Sequence, residues 1–303
     1  RWCAAADMPL WVIATLLAAA AQTGRNAAQA RLTPQLGTLG ATQVRFLYGL
    51  PFALLFLGAI MAATGEALPR PGAETLGFVA LGAVAQIAAT ALMLGAIAAR
   101  GLATATAWIK TEPVILALTG AALLGDPLTL PAFAAIAIAT AGVIVLAKPS
   151  PGSARLRPAL MGLAAAALFG LSAVGFRGAI LALPEGSAAL RAALALVLAL
   201  ALQVALLGGW IALRAPGAFA ASLRLWRSSL GAGALGAFAS QFWFLAFALT
   251  SAANVRTLAL VEVAFAAAFG YLSFGQRLDR AQTIGIGLLC LGVGLLLRFE
   301  GTV

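Results

Sequence analysis

The chain has 303 residues, of which 63% are hydrophobic and 9% charged, and it holds no histidine. A soluble domain carries about 25% charged residues, so this composition leaves too few to cover a water-facing surface, and the bilayer is the natural solvent. The net charge of +10 sits beside apolar runs, where basic residues orient membrane proteins, and no Lys/Arg run, zinc pattern or RNA-binding pattern points to nucleic acid.

Ten apolar stretches follow in chain order, each near the roughly 20 residues that a helix needs to cross the hydrocarbon core. They cover 8–30, 38–61, 74–98, 101–123, 129–147, 158–181, 187–209, 228–250, 252–274 and 280–298. Turn text separates them, as at Thr33-Pro34, Pro69-Arg70-Pro71-Gly72, Asp126-Pro127 and Pro184-Glu185-Gly186. The first apolar run lacks a basic leader, which reads as no cleavable signal peptide. Cys3 lies at the terminus and Cys290 inside a helical stretch, so neither a disulfide nor a metal-ligand spacing is expected.

The text from Glu112 to Leu146 returns from Glu262 to Leu296, at a constant offset of 150 residues. The copies share Glu112/Glu262, Gly120/Gly270, Gly125/Gly275, Gly142/Gly292 and Val143/Val293 without a gap. A shared acid and shared glycines indicate an internal duplication. The linker 148–157 divides five stretches from five, giving a first repeat over 8–147 and a second over 158–298. Five is odd, so the second copy enters the membrane from the opposite side. The expected fold is therefore all-α, a polytopic membrane protein with ten transmembrane helices in two inverted five-helix repeats.

Odd-numbered loops carry ten basic residues, among them Arg31, Arg100, Lys148, Arg214, Arg224 and Arg227, against Arg1, Arg70 and Arg298 on the other side. The positive-inside rule then places both termini outside the cytoplasm. Residues 210–229 form the longest loop. Phe219, Leu223 and Trp226 lie at i, i+4 and i+7 there, and two readings stay open, a short interfacial helix or a disordered basic loop. Trp11, Trp210 and Trp226 read as interfacial anchors.

The stretch TEPVILALTGAALLGDPLTLPAFAAIAIATAGVIVL resembles the closing helix pair of the EamA-type repeat in the drug/metabolite transporter superfamily. Its Glu-Pro-Val start, glycine-rich turn, acidic residue and later glycine carry the likeness, and Arg45 and Arg191 sit early in their second helices as an arginine often does in that family. Within the superfamily the chain is most similar to the YddG-type exporters of aromatic and other amino acids. The resemblance implies ten helices, a bacterial inner membrane and export of small metabolites. The second copy departs from the pattern with Val263 in place of Pro113 and Gln276 in place of Asp126.

Glu112 and Glu262 are the acids placed deep in the membrane, where a charge costs roughly 2.5–3.5 kcal/mol on insertion scales. They read either as a proton or substrate-amine site, or as structural acceptors between helices. Lys110 stands two residues from Glu112, about 200° around a continuous helix, so pairing of the two needs a broken helix. Semi-polar stripes add Gln86 and Thr90 on the third helix, Trp108 on the fourth, Phe238, Gln241 and Trp243 on the eighth, and Asn254 on the ninth. These ten residues are the candidate substrate-binding set, for a cavity holding varied amphipathic solutes or for ordinary bundle packing.

Enzyme chemistry has little to stand on. There is no histidine, nucleophile elbow or phosphate-cradling loop, and Asp7, Asp126 and Asp279 all lie at helix ends. No cofactor and no metal are expected. The partners are membrane lipid and a small solute, with protons as the candidate coupling ion, and monomer and homodimer are both open. The leading expectation is a secondary transporter exporting amino acids and related amphipathic metabolites or drugs by alternating access. The alternatives are a sugar-phosphate or nucleotide-sugar exchanger of the same superfamily, and a non-transporting scaffold or lipid-modifying enzyme.

Overall fold

The structure, a computed structural model, describes residues 9–100, 109–147, 156–261, 263 and 280–300. Among them all regular structure is helical. In chain order the helices are α1 (Leu10–Leu47), α2 (Gly49–Thr64), α3 (Ala73–Arg100), α4 (Glu112–Leu124), α5 (Leu130–Ala147), α6 (Leu156–Leu181) and α7 (Ala188–Gln203). A π-helical segment (Val204–Gly208) leads into α8 (Gly209–Arg214), followed by α9 (Pro216–Arg224), α10 (Trp226–Leu249), α11 (Ala252–Ala259) and α12 (Arg280–Glu300).

Six described helices are long and apolar enough to cross a membrane: Leu39–Thr64, Ala73–Met93, Leu160–Leu181, Ala188–Arg214, Trp226–Leu249 and Arg280–Phe299. Three shorter apolar helices, Leu10–Gln22, Glu112–Leu124 and Leu130–Val145, fall where the first, fourth and fifth spans are expected. Most of the expected ninth span, with Glu262, lies outside the described residues, as does the start of the fourth span with Trp108.

The first two spans do not part at Thr33-Pro34. Helix continues through Pro34 and breaks at Gly37, whose φ of 65° and ψ of 175° lie where only glycine rests comfortably. The expected long loop 210–229 is mostly helix, since the seventh span runs on to Arg214 and Pro216 opens α9 at a first-turn position, where its missing N–H costs nothing. The helical reading of that loop therefore holds, with Leu223 and Trp226 exposed on it. Trp11 departs from the anchor reading because its ring is buried.

The chain forms two compact units, each drawing on both halves of the sequence. The first comprises residues 1–84 and 175–250, the second 85–174 and 251–303.

In the first unit α1 packs along α10, and α7 packs against α2 and α10. Its two ends are distinct. At one end Leu32 and Leu36 cluster with Val44 and Ala232 beside Ala221 and Leu225, and the Tyr48 hydroxyl donates to the Ser222 carbonyl at 3.0 Å. At the other end the Ser187 N–H donates to Glu66 Oε2 at 2.7 Å, and the Arg177 guanidinium donates to the carbonyls of Phe247 and Thr250, capping α10.

In the second unit α5 and α12 cross with almost no side chain between them. A Cβ added to Gly142 would lie 2.5 Å from the Leu289 amide nitrogen and 2.7 Å from the Gly285 carbonyl oxygen. A Cβ added to Gly292 would press on the Ala139 amide nitrogen and lie 2.7 Å from the Ala135 carbonyl oxygen. Rising residue numbers on one helix meet falling numbers on the other, so the two run antiparallel. The sequence offset carries Gly142 onto Gly292, Ala135 onto Gly285 and Ala139 onto Leu289, so the crossing maps onto itself. Small residues permit such an approach in lipid, where van der Waals packing has to hold helices together.

Candidate functional site

In the second unit the site is built on two helix ends. The chain turns at Lys110 and Thr111 before α4 starts, so the continuous helix that would separate Lys110 from Glu112 is interrupted there. Pro113 stands in the first turn, where no intrahelical donor is lost. The Val114 and Ile115 N–H groups both reach back to the Thr111 carbonyl, at 3.2 and 3.4 Å. Glu112 thus occupies the positive end of α4, and Arg256 occupies the last turn of α11, the negative end of its own helix. Each charge is favoured by the helix that carries it.

These two side chains meet. Arg256 Nε lies 3.2 Å from Glu112 Oε1, with the side chains 20% and 14% exposed respectively. The pair answers how a carboxylate is tolerated at this depth, since each ion offsets much of the desolvation of the other. Asn254 lies two residues before Arg256, about 200° around the helix, and its N–H donates to the Ser251 hydroxyl that caps α11. Lys110 is half-buried. On α3 the Thr90 hydroxyl is turned back onto the Gln86 carbonyl at 2.8 Å, so it is satisfied within its own helix.

The remaining described candidates belong to the first unit. Trp243 is 5% exposed, and its indole N–H donates to Gln22 Oε1 of α1 at 3.2 Å. Its ring stacks on Phe247, with centroids 6.5 Å apart. Gln241 is buried beside it in sequence, and its Oε1 accepts no hydrogen bond among the described residues. Phe238 faces elsewhere. Five residues before Trp243 it is about 140° round the helix, 39% exposed, and it packs on Phe242 and edge-on to Phe56.

Four functional-looking residues escaped the sequence reading of the site. Arg256 was legible as a basic residue inside an expected span, but nothing local pairs it with Glu112. Gln22 is linked to Trp243 only through the fold. Arg25 and Arg45 flank Gly236 of α10, where an added Cβ would lie 3.3 Å from Arg25 Cδ and 3.6 Å from Arg45 Cγ. Arg25 reads as a helix-end residue if the first helix stops at residue 30. With helix continuing to the Gly37 break it lies well inside, 6% exposed.

Comparison with known proteins adds the class. Residues 156–298, a little under half of the chain, match the EamA-like transporter family. With the six described helices long and apolar enough to cross a membrane, that match supports a multi-pass membrane protein. A solved structure, titled only as the crystal structure of a protein, aligns over 97% of this chain and 96% of its own with a TM-score of 0.68. It is one of 27 matching chains and is 16% identical, a likeness that shows the fold alone. No curated protein matches the chain.

Proposed function

We propose that the protein is a secondary transporter of the bacterial inner membrane, exporting amino acids, aromatic ones included, and related amphipathic metabolites or drugs by alternating access. The observation that carries the reading is the Glu112–Arg256 pair. It joins a helix of the first sequence half to a helix of the second, both ions are partly accessible, and ionisable residues inside the membrane mark solute and ion pathways. The EamA-like match over 156–298 supports the same class. The reciprocal crossing at Gly142 and Gly292 supports two inverted repeats of five spans, the architecture in which one half rocks against the other around a midplane site. With the positive-inside rule, the end of the first unit that carries Arg214, Arg224 and Arg227 faces the cytoplasm.

The exchanger alternative has one observation in its favour, the buried Arg25 and the half-buried Arg45, whose stems both lie near Gly236. Flux into liposomes holding only this protein tests the reading, with a panel of amino acids and sugar phosphates as competitors. Saturable flux of phenylalanine, blocked by other amino acids, is the expected result. Competition by sugar phosphates alone selects the exchanger, and no flux of any solute selects the non-transporting alternative.

A further inference from the structure

One face of the first unit is both basic and apolar, and it lies where a bilayer surface falls. The span Ala188–Arg214 is 27 residues long, roughly 40 Å of helix. With Ser187 at one surface, Arg214 therefore clears a hydrocarbon core about 30 Å thick. The next span starts at Trp226, so α9, which joins the two, lies along a single membrane surface. Packing fixes its inward side. Ser222 is fully buried and its carbonyl accepts from the Tyr48 hydroxyl, while Ala221 and Leu225 rest on the cluster of Leu32, Leu36, Val44 and Ala232. The outward side carries Leu223 and Arg224, and Trp226 and Arg227 follow on the first turn of α10, all exposed. The Arg227 guanidinium lies over the Trp226 ring, 5.2 Å from its centroid, which keeps charge and indole together. On α8, Trp210, Leu213 and Arg214 lie at i, i+3 and i+4 and are exposed as well, Leu213 at 84%.

Neither the charge nor the apolar area is matched within this stretch. No acid occurs between Glu185 and Glu262. The described carboxylates of the unit, Glu66, Glu74 and Glu185, stand at its other end, where Glu66 accepts from the Ser187 N–H and the Thr75 hydroxyl donates to the Ala182 carbonyl. Exposed apolar side chains rimmed by polar ones mark an interaction surface, and this one asks for a partner with an anionic head and an apolar body. A free phosphate would leave both indoles and Leu213 in the open. An acidic soluble protein would meet the arginines only on the water side, away from the side chains that face acyl chains. An anionic lipid supplies both parts in one molecule, and arginine beside tryptophan and leucine is the composition that settles at its headgroup level.

We propose that this face is a docking site for anionic phospholipid: Arg214, Arg224 and Arg227 take the headgroup phosphate, and Trp210, Leu213 and Trp226 enter the acyl boundary beside it. Arginine suits the task because its planar donors match a phosphate in pairs. The bound lipid fastens α8 and α9 to the membrane surface from outside, as Tyr48 and the Leu36 cluster hold α9 from inside. The site stands whether or not the protein moves a solute, since it needs only a bilayer.

The test reconstitutes the full chain into vesicles of phosphatidylcholine and phosphatidylglycerol with matched acyl chains, one of the two brominated, and reads the quenching of tryptophan fluorescence. Subtracting the signal of the Trp210→Phe/Trp226→Phe double variant isolates the two indoles on this face. Brominated phosphatidylglycerol quenches them in preference to brominated phosphatidylcholine, by about fivefold in relative affinity for each arginine that reaches the headgroup. Arg224→Gln and Arg227→Gln each lower the preference about fivefold, and adding Arg214→Gln to both abolishes it. The preference is a ratio of two lipids on one variant, so a change in indole brightness cancels. Arg70→Gln, exposed at the other end of the unit, leaves it unchanged. Equal quenching by the two lipids overturns the site, and the same ratio read on total wild-type fluorescence needs no variant to fold. A loss for Arg70→Gln as large as for Arg224→Gln assigns the effect to net charge and overturns it as well. Inorganic phosphate that erases the preference replaces the lipid by a free anion. Failure of both lipids to quench the two indoles means that a second copy or another protein covers the face, and either result sinks the proposal.

Discussion

The crossing of α5 and α12 makes a quantitative prediction, because its geometry is reciprocal. Gly142→Ala places a methyl 2.5 Å from a backbone nitrogen and 2.7 Å from a backbone oxygen. Neither neighbour is the flexible tip of a side chain, so the helices have to separate. Inserting a methyl into a packed site costs about 1–3 kcal/mol, and the backbone character of the obstacle puts this case at the upper end. Gly292→Ala meets the equivalent atoms on the other helix, Ala139 and Ala135, and the expected cost is the same. Gly287 and Gly294 lie on α12 with nothing near an added Cβ. Alanine there gains helix propensity, up to about 1 kcal/mol. Thermal unfolding of the purified protein in detergent reads all four. The expected pattern is a matched drop of several degrees for Gly142→Ala and Gly292→Ala, and no drop for Gly287→Ala and Gly294→Ala. A neutral Gly142→Ala, or a loss confined to one of the two crossing positions, refutes the reciprocal crossing.

Three further outcomes follow from the site. Glu112→Gln strands Arg256; removing one partner of a fully buried pair costs about 3–5 kcal/mol, and the partial exposure of this one lowers the expected loss to about 1–3 kcal/mol. The double variant Glu112→Gln with Arg256→Gln recovers part of that loss in the same unfolding assay, and additive losses refute the pairing. If Glu112 also carries the coupling proton, Glu112→Gln abolishes pH-driven uptake in a folded protein, and an unchanged pH profile leaves the structural role alone. Trp243→Phe removes the donor to Gln22 and costs about 0.5–1.5 kcal/mol, while Trp243→Ala weakens flux of phenylalanine more than that of alanine; an unchanged ratio assigns the ring to packing. A phosphatase fused after Val303 is active and a fluorescent protein fused there is dark, and the reverse pattern overturns the proposed orientation.

The sequence made the spans legible because bilayer thickness fixes both the length and the composition of a crossing helix. Its turn signals were less faithful. Thr33-Pro34 reads as a break, yet proline is tolerated inside a membrane helix, and the chain waits for Gly37, whose backbone angles no other residue adopts easily. The repeat is read from glycines and an acid that recur at one spacing, and in the fold Gly142 and Gly292 each lie against the other's helix. The candidate site was legible one residue at a time. Glu112 stands out as an acid in an apolar run, but its partner is decided by which helix ends meet, and no local pattern encodes that. The depth of Arg25 is hidden in the sequence for the same reason that the break is, because it depends on where the first helix stops.

The Glu112–Arg256 pair also imposes an order of events on synthesis. Arg256 follows Glu112 by about 140 residues, and at roughly 5–20 residues per second the carboxylate is made on the order of ten seconds before its counter-ion exists. During that interval α4 carries an unbalanced acid in its first turn. The first half of the chain is thus a nascent intermediate whose Glu112 gains its counter-ion only when the second half delivers Arg256. The ribosome writes the two halves in sequence, and the second supplies the ion that the first has been lacking.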